Sequence, residues 1–200
     1  STPASAQFVS LVGGPPPVQD FNTLAASGSS STLPNGWYLA ETDDNANSEY
    51  RAGDGSSNTG DTYSFGTGTD SERAFGTLQS SSLVSRIGAQ LRNDSGLAVT
   101  EITVNYTGEQ WRLGATGRAD TLKFEYSANA TGLNDPAANW TPDLALDFDS
   151  PTTTGATGAL DGNASANRTA ISAAINGLNV APNATLWVRW SDVGVSGSDD

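Results

Sequence analysis

Acidic and amide side chains set in glycine-rich stretches are the residues best suited to chemistry. They are Asp43-Asp44, then Asp54 with Asn58 and Asp61, then Asp192 with Asp199 and Asp200. Calcium takes about six to eight hard oxygen ligands, many of them amide or backbone carbonyls, from flexible loops. These stretches therefore predict a structural Ca²⁺ that pins loops together. No segment has the EF-hand spacing that ends in Glu, so that motif is excluded. The competing reading is a set of solvated acidic loops, common in a chain of net charge −13.

A second constellation is Glu109, Trp111 and Arg112. Strand alternation would put Glu109 and Trp111 on one face and Arg112 on the other. Read functionally, Trp111 is a platform for sugar C–H surfaces, with Arg112 or Glu109 fixing the hydroxyls. Read structurally, Trp111 is core and Arg112 pairs with a carboxylate such as Asp120. Trp140, in the turn-rich Asn139-Trp140-Thr141-Pro142, is the candidate for an exposed loop aromatic. Trp187 and Trp190 fall on opposite faces of one strand, so one is expected in the core and the other is free to be exposed. Arg168, Arg189 and Asp192 are suited to an ion-pair network, since guanidinium groups bind carboxylates bidentately.

Catalysis has little to work with. The chain has no His and no Cys, which excludes Ser-His-Asp and Cys-His triads, thiolate or imidazole zinc sites, and a disulfide framework. Asp143, Asp147 and Asp149 would crowd like charges along one strand face, an arrangement that would suit a glycosidase or lyase. With 22 carboxylates such clusters arise freely. Nucleic acid is an unfavourable partner too, because only nine cations are present and binding by counterion release needs them clustered.

The elements that must carry these residues read as strands. A hydrophobic fraction of 36% with high net charge raises disorder as an alternative. Five Trp, five Tyr and six Phe spread along the chain, together with clean alternation, argue against it. Alternation and turn signals predict strands at Gly36–Glu41, Asp61–Phe65, Leu83–Gln90, Ala98–Tyr106, Glu109–Leu113, Thr121–Ser127, Leu144–Phe148 and Leu186–Trp190. Ile171 and Ile175, four apart, predict one short helix over Ala166–Asn176. Residues 1–19, broken by Gly13-Gly14-Pro15-Pro16-Pro17, read as a tail or linker, leaving one domain over 20–200, either whole or lacking its last strand. Ala4-Ser5-Ala6 has the shape of a cleavage site, although a plain Ser/Ala-rich leader is the simpler reading. No run approaches the roughly 20 apolar residues of a membrane helix. The expected fold is all-β, an antiparallel β-sandwich of jelly-roll type.

Several phrases also carry a family resemblance. They are Tyr50-Arg51-Ala52-Gly53 through Asn58-Thr59-Gly60-Asp61-Thr62-Tyr63-Ser64-Phe65-Gly66, and Tyr106-Thr107-Gly108-Glu109-Gln110-Trp111-Arg112. Further on come Asp120 to Ser127, Leu160-Asp161-Gly162-Asn163 with Asn167-Arg168, and Leu186-Trp187-Val188-Arg189-Trp190-Ser191-Asp192. Together they resemble a β-jelly-roll module of large bacterial secreted and cell-surface proteins, found beside lamin-tail-like, extracellular nuclease and sorting-tail domains. The resemblance implies export and an accessory, carbohydrate-binding-like role. The expectation is thus a non-catalytic, secreted or cell-surface module that binds a polysaccharide or cell-surface glycan and is stabilised by Ca²⁺. The alternatives are a structural or adhesive unit acting through neighbouring domains or self-association, and an accessory domain of a secreted nuclease.

Overall fold

The computed structural model describes residues 7–14, 18–68, 70–192 and 194. In chain order the strands are β1 (Val9–Leu11), β2 (Ser29–Ser30), β3 (Trp37–Thr42), β4 (Tyr50–Gly53), β5 (Asp61–Phe65), β6 (Ala74–Leu78), β7 (Val84–Asn93) and β8 (Val99–Glu109). They continue with β9 (Arg112–Leu113), β10 (Thr121–Ser127), β11 (Thr141–Pro142), β12 (Phe148–Asp149), β13 (Gly158–Ala159), β14 (Arg168–Val180) and β15 (Thr185–Asp192). Two single 3₁₀ turns, Leu144–Leu146 and Ser165–Asn167, are the helical elements among the described residues.

β15 lies in the middle of the largest sheet, between β7 and β10. Its sequence explains the position. Leu186, Val188 and Trp190 point to one face, Trp187 and Arg189 to the other, and all but Arg189 are buried. A strand covered on both faces reads as a nearly continuous apolar run. β3 and β1 lie end to end along the far side of β7, while β11 and β12 share the far side of β10. The 129–140 stretch crosses one face of this sheet, burying Ala130 and Leu133 against Trp187. Gly88 is required beneath it, because a Cβ there would sit 2.7 Å from Leu133 Cδ2.

The opposite face meets two smaller sheets. One is the order β2-β4-β5-β6, which contributes Tyr50 and Phe75; the other is the long β8/β14 ribbon, which contributes Ile102, Val104, Tyr106, Ile171, Ala173 and Ile175. The chain is all-β, with layered sheets consistent with a sandwich. β1 runs parallel to β7 and β4 parallel to β5, so the sheets are mixed and not wholly antiparallel.

Three expectations need correcting. The predicted helix over 166–176 is strand for most of its length: residues 168–176 pair one for one with β8. A spacing of four suits both periods, since i, i+2 and i+4 also line one face of a strand, and Ala173 fills the middle place. The predicted strand Leu144–Phe148 is a 3₁₀ turn capped by Asp143, whose carboxylate accepts the Ala145 N–H at 3.1 Å, and only Phe148–Asp149 pairs. The supposed tail contains β1, whose Val9 packs against the core, so the domain starts before residue 20.

Candidate functional site

Glu109 ends β8 opposite Arg168 of β14, and the two side chains form an ion pair. The other carboxylate oxygen, Oε2, accepts the Trp111 indole N–H at 3.2 Å. Burial pushes the Glu109 carboxyl above its ordinary value, with Arg168 pulling the other way. The strand does not continue through Trp111. Gln110 turns inward, its Oε1 accepting Thr152 N–H at 2.8 Å and its Nε2 donating to the carbonyls of Arg112 and Thr152. The indole is only 3% exposed and lies parallel to Phe65, 6.2 Å between ring centroids. Gly55 and Gly162 have no side chain because a Cβ at either would collide with Trp111. Arg112 reaches the carbonyls of Gly55 at 3.1 Å and Ser56 at 3.3 Å, while Arg118, not Arg112, pairs with Asp120. The three neighbours therefore staple loops together, and the face of Trp111 is occupied by protein.

Trp140 is half-buried. The Arg189 guanidinium covers one face of its ring, 3.7 Å from the centroid, and also binds Glu125 Oε2 at 2.7 Å and the Leu133 carbonyl at 2.6 Å. The expected Arg168–Arg189–Asp192 network is split into separate contacts. Arg168 serves Glu109, and Asp192 accepts from Thr77 Oγ1 at 3.2 Å and Gln79 N–H at 3.0 Å, tying the end of β15 to β6.

Among the described residues, the expected calcium ligands are engaged locally or exposed. Asp43, Asp44 and Asn58 are exposed. Asp54 closes its own turn by accepting Ser56 N–H at 3.0 Å and Ser56 Oγ at 2.5 Å, bonds that hold its carboxyl below the usual range. Asp61 is buried 3.3 Å from Arg51. Burial first, then the nearby Glu41 charge, pushes its carboxyl up, against the pull of Arg51. Asp199 and Asp200 fall outside the described residues. Among the described residues no three acidic side chains come together in a group able to hold a metal. Asp143, Asp147 and Asp149 also part company. Asp143 caps the 3₁₀ turn, Asp147 Oδ1 accepts Phe124 N–H at 2.8 Å, and Asp149 Oδ1 accepts the Thr121 hydroxyl at 2.5 Å.

A cleft of about 1110 Å³ lies between the central sheet and the two smaller ones, and the sequence-predicted Glu109, Trp111 and Arg112 are among the residues along its wall, whereas Trp140 is not. Aromatic side chains in its walls include Phe21, Trp37, Phe75, Tyr106, Phe148 and Trp190. Phe21, Trp37 and Tyr106 are half-buried, which marks the cleft as continuous with the core. The Tyr106 phenol donates to the Leu146 carbonyl at 2.6 Å, and burial pushes its pKa up to about 12. It stays a neutral donor throughout the physiological range.

No family model, curated protein or solved structure matches this chain. No helix among the described residues is long and apolar enough to cross a membrane.

Proposed function

We propose that the chain is a non-catalytic binding and assembly module of an exported bacterial protein, secreted or displayed at the cell surface, with jelly-roll-type connectivity. The cleft carries this reading. At about 1110 Å³ it exceeds the roughly 300–1,000 Å³ usual for small-molecule sites, and its walls are mostly apolar, with charged side chains such as Glu72, Arg73, Arg112 and Arg168 among them. An acidic chain with a single Lys suits an extracellular protein kept soluble by its charge. The resemblance noted above points the same way. A glycan in the same cleft is the second reading. It is favoured by the half-buried Trp37 and Tyr106 rings and the neighbouring polar Thr103, Asn105 and Thr107 of its lining.

The test is uptake of the apolar dye ANS by the native protein, checked against Val104→Lys, which puts a cation on the cleft wall. Native protein is expected to take up the dye and the variant to lose it while keeping its far-UV spectrum. A native protein that excludes the dye would remove the cleft from consideration. A glycan array with the same pair of proteins decides the second reading.

A further inference from the structure

The cleft touches consecutive residues of two strands: 74–78, the whole of β6, and 102–109 of β8. Successive side chains of a strand point to opposite faces, so a space that meets every residue in a row lies along the strand's edge. There the backbone N–H and C=O groups project. The pairing agrees. Among the described residues β6 pairs only with β5 and β8 only with β14, each on its other side. Two strand edges with no second partner among the described residues thus border one cleft, which Ile87, Leu91, Val188 and Trp190 of the central sheet also line.

Resting on the reading of the cleft as the binding site, we infer that its occupant is an extended segment of another polypeptide, added as a strand between β6 and β8. Only a peptide backbone offers alternating donors and acceptors to such edges, as in β-augmentation. The flanking strand sets the side-chain pattern. In β8, Ile102, Val104 and Tyr106 are half-buried, while Thr103, Asn105 and Thr107 are exposed. Cross-strand neighbours on one face favour like character, so the guest carries apolar residues at every second position and Thr, Ser or Asn between them. Charge selects against a second copy, because each chain carries −13 and two copies repel. A guest with Lys or Arg at its ends fits better.

A synthetic peptide of about nine residues, alternating Val and Thr with a Lys at each end, spans roughly 30 Å when extended and serves as the probe. It is expected to bind the native protein and to slow amide exchange in 74–78 and 102–109. The same peptide with a central Pro lacks one backbone donor and is expected to bind at least about tenfold more weakly, a loss of about 1.4 kcal/mol. Equal binding of both peptides would overturn strand addition. So would slow exchange of both edges in the free protein, which would mean the chain covers them itself. Self-association with the same protection pattern would overturn the choice of a foreign partner. Dye uptake without peptide binding would sink this inference and leave the cleft reading standing; failure of both would sink the two together.

Discussion

Replacing Trp111 separates a sugar platform from a structural staple. The indole is 3% exposed and parallel to Phe65 at 6.2 Å. Truncating such a side chain to Ala costs about 3–5 kcal/mol, the lost transfer energy plus a cavity. For a domain of this length, 1 kcal/mol moves Tm by about 2–4 °C, so Trp111→Ala is expected to lower Tm by roughly 6–20 °C. Trp111→Phe isolates the hydrogen bond. It keeps a ring against Phe65 but removes the N–H that Glu109 Oε2 accepts at 3.2 Å. Leaving a buried carboxylate oxygen short of a donor costs about 1–3 kcal/mol, with Arg168 still paired to the other oxygen. The expected order of melting temperatures is therefore wild type, then Phe, then Ala, measured by circular dichroism on heating. An Ala variant that melts within about 2 °C of wild type and has lost affinity for a polysaccharide would refute the structural assignment.

Three further outcomes follow from the same geometry. Burial raises the Asp61 carboxyl, so the folded state holds its proton to higher pH than the unfolded chain, and stability from this group falls as pH rises through the folded value. Asp61→Asn should accordingly gain on wild type in melting scans between about pH 4 and about pH 7; a loss over that range would show that the Arg51 pair outweighs desolvation. Gly108→Val should cost about 1–3 kcal/mol by overpacking, because a Cβ at this position collides with the Phe148 ring; an unchanged Tm would mean that β8 and β12 can separate freely. Calcium at a hundred times its Kd adds about 2.7 kcal/mol, which is roughly 5–11 °C here. With Asp54, Asp61 and Asp192 each engaged by different partners, a calcium-against-EDTA comparison should show less than about 1 °C, and a shift of several degrees would support the metal expectation.

The parts of the fold legible from residue order were those where local pattern and burial agree. β10 and β15 sit close to their expected bounds because Phe124, Val188 and Trp190 alternate with residues that face the other way. Misreadings came where one pattern serves two structures. Ile171 and Ile175 suit a helix turn as well as a strand face, and pairing with β8 decided the matter. Leu144, Leu146 and Phe148 alternate like a strand, yet Asp143 caps a turn there that no periodicity reveals. β6 escaped notice because Ala-Phe-Gly-Thr-Leu has too little apolar bulk to stand out. At the candidate site, Glu109, Trp111 and Arg112 are adjacent in space as in sequence, but their partners at residues 55, 56 and 168 are distant along the chain. Sequence proximity suggested the cluster and could not say that it faces inward. In the acidic stretches, neighbouring carboxylates such as Asp54 and Asp61 turn to different local partners, which residue order does not reveal.

The unpaired edges along the cleft were illegible for a deeper reason. An open sheet edge is a property of pairing, and no residue type announces a partner that is missing. Natural β proteins usually guard such edges with charge, proline or bulges, because an unpaired edge invites association. β6 carries no charged residue and no proline, and β8 has no proline and carries charge only toward its ends, at Glu101 and Glu109. A two-stranded ribbon is marginal by itself. The β8/β14 ribbon is held instead by its inner face, where Tyr106 meets Trp190 edge-on at 5.3 Å and its hydroxyl binds Leu146. That anchorage leaves the ribbon's outer hydrogen-bonding edge unguarded beside β6. Two unguarded edges bordering the same cleft are hard to explain as core packing alone, and they become intelligible once a strand lies between them.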